Sequence, residues 1–302
     1  MTSKTSRILL TGSNGQVGRA LRQTLAPLGT VVALSRDALD LADPDAIRKT
    51  VRDSQPTLII NAAAYTAVDR AEAEPELAMA VNGIAPGVLA EEAKRLGAVL
   101  VHYSTDYVFD GSKSTAYSEA DTPNPLNVYG KTKLAGEQAV QAVSSAHYIL
   151  RTSWVYAAEG ANFLNTILRL AREHRELRIV DDQTGAPTWA SPIATMTVQM
   201  LAFGIKGLAD PPYGLYHLTA SEAVTWFGFA QAILAEAEKT LSISAPKLVP
   251  ITTAEYPLPA PRPANSRLDN TRLAKTFSIR PEPWQKMLGQ CMQKKFPGAN
   301  RQ

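Results

Sequence analysis

Cysteine is nearly absent from this 302-residue chain: Cys291 stands alone, so neither an intrachain disulfide nor a thiolate metal site can form. Histidine is scarce as well, and the four present are too scattered to read as a metal-ligand set, so no metal is expected. His102 and His217 fall inside predicted strands, which points to structural roles, while His147 and His174 carry no pattern. A one-signed charge is also missing. The 31 Lys+Arg against 28 Asp+Glu leave a formal net of +3, which does not suggest a nucleic-acid partner, although one basic face could still serve a small anionic ligand. No apolar run approaches the roughly 20 residues that a bilayer span requires, so no membrane partner is expected. The polar segment Met1-Thr2-Ser3-Lys4-Thr5-Ser6 and the short apolar run after Arg7, broken at Gly12, do not make a signal peptide, and a cytoplasmic location is expected. Heptads, zinc spacings and internal repeats are missing too. At this length roughly 75% of the unfolded chain's surface can be buried, so one large or two modest domains are available.

What is present is a regular alternation of apolar strands and helical patterns. Ile8–Thr11, Thr30–Leu34, Thr57–Asn61, Val99–Tyr103 and His147–Arg151 read as strands, with helices over Val17–Leu25, Pro44–Asp53, Glu76–Leu96 and Tyr129–Val143 between them. Continuous apolar strands separated by helices imply an α/β fold, a Rossmann-type doubly wound parallel sheet covered on both faces. Beyond Arg151 the pattern loosens into helices at Phe163–His174, Ser191–Phe203, Thr225–Lys239 and Trp284–Lys294, with strands at Leu177–Val180 and Leu215–Leu218. The proline-rich stretch Pro250–Pro263 suits a surface segment better than a core element. The expected division is a nucleotide domain over residues 1–151, to which later segments return, and a smaller, partly discontinuous C-terminal lobe over residues 152–302 that holds the substrate.

The turn Gly12-Ser13-Asn14-Gly15-Gln16-Val17-Gly18 lies between the first strand and the first helix. Glycines at 12, 15 and 18 would let a pyrophosphate approach backbone N–H groups at a helix N-terminus, although a tight strand-helix turn alone could also use them. An NAD site places an acid at the end of the second strand; here Ser35-Arg36 stand there. A hydroxyl and a guanidinium suit a 2'-phosphate, which favours NADPH with NADH tolerated, while Arg36 as a solvated loop charge is the alternative. Asp40-Leu41 could flank the adenine, and the small residues Ala63-Ala64, with Tyr65, would let the cofactor lie across the strand tips.

The chemistry is expected on Tyr129-Gly130-Lys131-Thr132-Lys133. In a helix the four-residue spacing stacks Lys133 on the face of the Tyr129 phenol, where an ammonium would favour the phenolate over its usual pKa of about 10. An amphipathic helix with a solvated lysine is the plainer reading. Ser104-Thr105 follow the fourth strand, which brings their hydroxyls to the carboxyl edge of the sheet, either to hydrogen-bond a carbonyl substrate or to cap a turn.

Together, the glycine turn, this hydroxyl pair and Tyr129 with Lys133 resemble the extended short-chain dehydrogenase/reductase family. The blocks Asn61–Asp69, His102–Phe109, Pro125–Lys131, Arg151–Tyr156, Asp182–Thr188, Gly214–Leu218 and Arg262–Ser266 are similar to its branch that reduces dTDP-linked 4-keto sugars, and the likeness runs through nearly the whole chain. The resemblance implies that a dTDP-sugar is the partner, and that the C4 ketone of dTDP-6-deoxy-L-lyxo-4-hexulose is reduced to dTDP-L-rhamnose by NAD(P)H. It makes Tyr129 the proton donor and has Lys133 lower the phenol's pKa and hold the nicotinamide ribose. Thr105 would orient the carbonyl and Ser104 contact the sugar. It sets Trp154 against the substrate, with core packing as the alternative, and puts Arg262 and Asn265 in the loop that reaches the diphosphate, where Arg262 is otherwise a solvated charge. Some members pair through magnesium held by glutamates, one on the first helix. Arg19-Ala20 occupy that place here, so neither the metal nor that dimer carries over, and a monomer or weak homodimer is expected. Two rivals remain: an epimerase or dehydratase of nucleotide sugars on the same fold, the dehydratase disfavoured by Asp106-Tyr107 after Thr105, and a non-catalytic binding subunit.

Overall fold

The structure, a computed structural model, describes residues 6–205, 211–241 and 245–298; Met1–Thr5, expected to be a polar lead-in, lie outside the described residues. Five strands, β1 (Arg7–Thr11), β2 (Thr30–Leu34), β3 (Leu58–Asn61), β4 (Val99–Thr105) and β5 (His147–Thr152), join the later Gly214–His217 strand in one six-stranded parallel sheet. Its spatial order is Gly214–His217, β5, β4, β3, β1, β2. The chain leaves β1 for β2 on one side and returns to β3 on the other. The carboxyl ends of β1 and β3 therefore flank the crevice where open parallel sheets bind ligands.

Alternation along each strand sends neighbouring side chains to opposite faces, and both faces are covered. Ile8 and Leu10 pack with Leu21 of α1 (Gln16–Thr24) and with Leu25 at its C-terminal cap, and the same cluster includes Ile193 and Met200 from a later helix, Ala190–Ile205. Leu9 points the other way, to Ile47 and Val51 of α2 (Pro44–Ser54). Pro44 opens α2, and the Asp43 carboxylate accepts from the N–H groups of Asp45 and Ala46, which satisfies two of the donors a helix start leaves free.

The predicted Glu76–Leu96 helix is interrupted. A short helix α3 (Val68–Ala73) precedes α4 (Pro75–Met79), then Ala80–Ile84 widen into a π turn before α5 (Ala85–Leu96). Such turns widen the helix locally, and here the π turn carries the buried Asn82. α6 (Val128–Val143) packs against α5 and this π turn.

A separate apolar cluster gathers Tyr156, Ile167, Phe229, Trp284, Met287 and the buried Cys291. The proline-rich segment is corrected at its start. Lys247–Ile251 is a strand paired in parallel with Glu176–Val180, and it includes Pro250. A two-stranded sheet consists of edges only, where a missing N–H can be tolerated. Downstream of Ile251 most of the segment is exposed, with Ala260 and Pro263 turned inward. Among the described residues no helix is long and apolar enough to cross a membrane.

Candidate active site

A cavity of about 460 Å³ opens over the carboxyl ends of β1 and β3 and continues to β4 and α6. At one end is the glycine turn. Gly12 has φ +67, a left-handed conformation, and a Cβ there would lie 2.6 Å from the Ala63 backbone nitrogen. No side chain caps α1, so its first N–H groups remain available to an anion. Gly15, Gln16 and Val17 line the cavity. Gly18 does not; a Cβ there would come within 2.1 Å of the Gly12 carbonyl oxygen, so this glycine serves the close packing of helix on turn.

Ser35 and Arg36 line the cavity at the end of β2, with Asp40 and Leu41 beyond them and Ala63, Ala64 and Tyr65 across from them. Arg36 is exposed, and its positive field reaches the Tyr65 phenol, which donates to Glu74 at 2.7 Å. Asp40 also accepts from the Ala42 N–H at 2.9 Å, which shapes its own turn.

Tyr129 and Lys133 line the opposite end of the same cavity. Asn127 caps α6 by accepting from the Gly130 N–H at 2.8 Å, and α6 lies so close to the turn after β4 that a Cβ on Gly130 would meet the Tyr107 carbonyl oxygen at 2.1 Å. Glycine between Tyr129 and Lys131 is thus a packing requirement. Lys133 is buried and turned toward β4, donating to the Tyr103 carbonyl at 2.6 Å with His102 Nε2 at 3.4 Å. Burial pushes its amine down to about 8 against the opposing pull of Glu137.

The phenol departs from the expectation of an acidified tyrosine. Tyr129 keeps partial exposure to the cavity, yet its close surroundings push the hydroxyl up to about 12; a hydrogen bond with Thr105 pulls it down and the Asp106 carboxylate pushes it further up. In this arrangement the lysine charge is spent on the Tyr103 carbonyl, so desolvation wins.

The remaining predicted residues divide. Thr105 is buried beside Tyr129, donates to Asp106 at 3.0 Å and accepts from the Tyr107 N–H at 3.1 Å, so turn cap and site residue coincide. Ser104 borders the cavity, but its hydroxyl donates to the buried Glu137 carboxylate. Trp154 has φ +45 and lies flat on Trp226, with centroids 3.5 Å apart and planes 4° from parallel, away from the cavity wall. Arg262 is neither solvated nor free: it forms a two-point pair with Asp69 at 2.9 and 2.7 Å. Asn265 donates to the carbonyls of Lys113 and Thr115 and accepts from Arg267, a full complement that ties two loops together. The structure therefore brings the predicted cofactor residues other than Gly18 into one cavity with Ser104, Tyr129 and Lys133, places Thr105 next to Ser104 outside its lining, and leaves Trp154, Arg262 and Asn265 engaged elsewhere.

Sequence reasoning missed Asn82, whose amide holds both the N–H and the carbonyl of Tyr65 and reaches Thr132 at 3.2 Å. A lone asparagine inside an apolar helical stretch was its signal. The chain Thr11, Asn61, His102, Lys133 across the sheet was missed as well; polar residues ending β1 and β3 and a histidine inside the apolar β4 could have marked it.

The family model described as RmlD substrate binding domain matches residues 6–296. A curated dTDP-4-dehydrorhamnose reductase of Burkholderia thailandensis is 48% identical over 95% of this chain and 98% of its own length. This chain belongs to the dTDP-4-dehydrorhamnose reductase family. The Escherichia coli K12 enzyme of that name is 45% identical over 92% of this chain and 94% of its own. Among solved structures, the Clostridium acetobutylicum reductase superposes with a TM-score of 0.89 at 36% identity over 95% of this chain and 99% of that one. The Bacillus anthracis reductase, solved in complex with NADP, gives 0.89 at 33% identity over 96% and 99%. The family consists of NAD(P)H-dependent oxidoreductases, and a UDP-glucose 4-epimerase from Thermus thermophilus, 21% identical, shares the fold.

Proposed function

We propose that this chain reduces the C4 ketone of dTDP-6-deoxy-L-lyxo-4-hexulose to dTDP-L-rhamnose. The observation that carries the proposal is the single cavity with glycine turn and Arg36 at one end and Tyr129 with Lys133 at the other. The residues fit a dinucleotide: Gly12 and Gly18 sit where any Cβ would strike backbone, and the uncapped start of α1 leaves donors for a pyrophosphate. Ser35 and Arg36, with no acid at the end of β2, favour a 2'-phosphate and hence NADPH, with NADH tolerated. Asp40, Leu41, Ala63, Ala64 and Tyr65 would border the adenosine half. When bound, NADPH supplies the hydride for the sugar's C4.

Tyr129 gives the proton to the C4 oxygen. Its high pKa suits this role, because a donor must still carry its proton at neutral pH, and the alkoxide formed at C4 is far more basic than a phenolate. Lys133 holds the end of the cavity nearest Tyr129, and Thr105, buried beside the phenol, would orient the carbonyl. Ser104 contributes mainly by fixing Glu137. The sugar nucleotide would lie toward Trp154 and Arg262, which requires Arg262 to exchange Asp69 for the diphosphate. In this reading residues 1–151 bind the dinucleotide, the Gly214–His217 strand returns to their sheet, and residues 152–302 otherwise serve the sugar nucleotide.

The test is NADPH oxidation with the 4-keto sugar by the native chain and by Tyr129→Phe. The variant should lose about 10²- to 10⁴-fold in kcat, the usual worth of a positioned acid, while still binding NADPH. Unchanged turnover would remove Tyr129 from the role, and no net NADPH consumption by the native chain would favour an epimerase.

A further inference from the structure

The row of polar residues across the sheet has a fixed donor order. Thr11, Asn61 and His102 are neighbours in the sheet register. Asn61 Oδ1 accepts from the Thr11 hydroxyl at 2.7 Å and from the Ala63 N–H at 3.3 Å. A backbone N–H can only donate, so the atom facing it must be the amide oxygen, and Asn61 Nδ2 must be the atom that meets His102 Nδ1 at 3.1 Å. An amide NH₂ also only donates, so Nδ1 is the acceptor and the neutral ring carries its proton on Nε2. That N–H points at Lys133 Nζ, 3.4 Å away. An ammonium has three donors and no acceptor, whereas a neutral amine has a lone pair that can receive the Nε2–H.

We infer that His102 is a positioning residue for Lys133: its tautomer, set by Thr11 and Asn61, favours the neutral amine until a dinucleotide binds, and binding then draws a proton onto Lys133. This rests on the reading of the cavity as an NAD(P)H site, and adds to it a role for a histidine that the sequence presents as structural.

The other groups around Lys133 do not cancel the effect. On its own helix, Glu137 favours the ammonium, but that carboxylate already accepts two bonds from Arg151 of β5 and one from Ser104 of β4. Tyr129 is neutral. Asp106, in the turn after β4, acts on Tyr129. His147 of β5 disfavours charge on His102, as does Lys133 itself. From α3, Glu72 accepts from the Val128 N–H at the start of α6, and the π turn presents the neutral Asn82. Burial acts in the same direction as the His102 contact, and Lys133 is pushed down to about 8, so the amine is near half-charged where the enzyme can be assayed. The ribose hydroxyls that Lys133 would hold accept from an ammonium, and the net negative charge of a bound dinucleotide acts in the same direction, so binding raises it again.

Calorimetry of NADPH binding in two buffers of different ionisation enthalpy measures the proton count directly. The native chain should take up about half a proton near pH 8 and more above it, with affinity falling about tenfold per pH unit once the free amine titrates. In His102→Asn the new amide oxygen can still receive the Asn61 NH₂ but presents no N–H to Lys133. Proton uptake near pH 8 should fall well below half, and the loss of affinity should begin about half to one pH unit higher, the worth of one hydrogen bond. A merely structural role would weaken binding or stability without moving either. The inference is overturned if the native chain binds NADPH with no proton uptake between pH 7 and 9, or if His102→Asn leaves the count and the affinity profile unchanged. Should the variant fail to fold, the native measurement still decides. A native chain that does not bind NADPH at any pH would overturn the cofactor reading as well.

Discussion

Replacing Glu137 by glutamine should be among the most damaging single changes that leave side-chain shape intact. Both partners of the Glu137–Arg151 pair have side chains only 2% exposed. The guanidinium Nε and Nη2 donate to the carboxylate at 2.8 and 2.6 Å, and the Phe109 ring lies 5.0 Å from the guanidinium carbon. Glutamine turns one acceptor into a donor facing donors and leaves the buried guanidinium without a counter-charge. Breaking such a pair by removing one partner costs about 3–5 kcal/mol, against about 0–1 kcal/mol for an exposed pair such as Lys49–Asp53. At roughly 2 °C per kcal/mol for a chain of this size, Tm should fall by about 6–10 °C. A second readout follows from Lys133, whose amine Glu137 helps to keep charged: without the carboxylate its titration should move to lower pH, and the alkaline limb of kcat/KM with it. Differential scanning calorimetry and a pH profile measure both effects, with the Glu137→Met/Arg151→Met double variant as the case in which no charge is stranded. A Tm loss below about 2 °C in Glu137→Gln would refute the reasoning.

Four further outcomes are expected. Gly18→Ala should abolish tight NADPH binding, read by fluorescence titration, because the added methyl collides with the Gly12 carbonyl oxygen. Asp106 is raised by burial from its usual range to about 7, so the folded state binds more protons than the unfolded state between about pH 4 and 7; stability should decline with rising pH across that window by up to about 1.4 kcal/mol per unit, and Asp106→Asn should flatten the decline in urea titrations at several pH values. Lys133 is depressed in the free protein, so its ammonium is lost as pH rises through about 8, and kcat/KM for NADPH should fall there. Trp226→Ala removes the surface on which Trp154 is stacked and should raise KM for the sugar nucleotide several-fold with little change in NADPH affinity; equal loss for both ligands would contradict it.

Local rules carried much of the architecture into view. Apolar runs at Ile8–Thr11 and Val99–Tyr103, each followed by a glycine turn or a hydroxyl pair, mark buried parallel strands, and the Tyr129–Lys133 spacing marks two side chains on one helix face. What stayed hidden depends on partners distant in sequence. Nothing near Tyr129 says that burial outweighs the lysine, because the desolvating neighbours come from β4 and the turn after it. Arg262 and Asn265 look like ligand contacts until Asp69 and the loop at 113–115 take up their donors. The π turn at Ala80–Ile84 leaves no periodicity signal of its own, since one extra residue per turn is lost within an otherwise helical pattern. Pro250 reads as a strand breaker, and only the pairing with Glu176–Val180 shows it on an edge where its missing N–H is harmless.

The most direct measurement of the central claim is isotope transfer. NADPH deuterated at the hydride position, incubated with the native chain and dTDP-6-deoxy-L-lyxo-4-hexulose, should yield dTDP-L-rhamnose carrying one deuterium at C4 for each cofactor oxidised, with Tyr129→Phe slowing the transfer about 10²-fold or more. Oxidation of the cofactor without deuterium at C4, or full-rate transfer by Tyr129→Phe, would contradict the account.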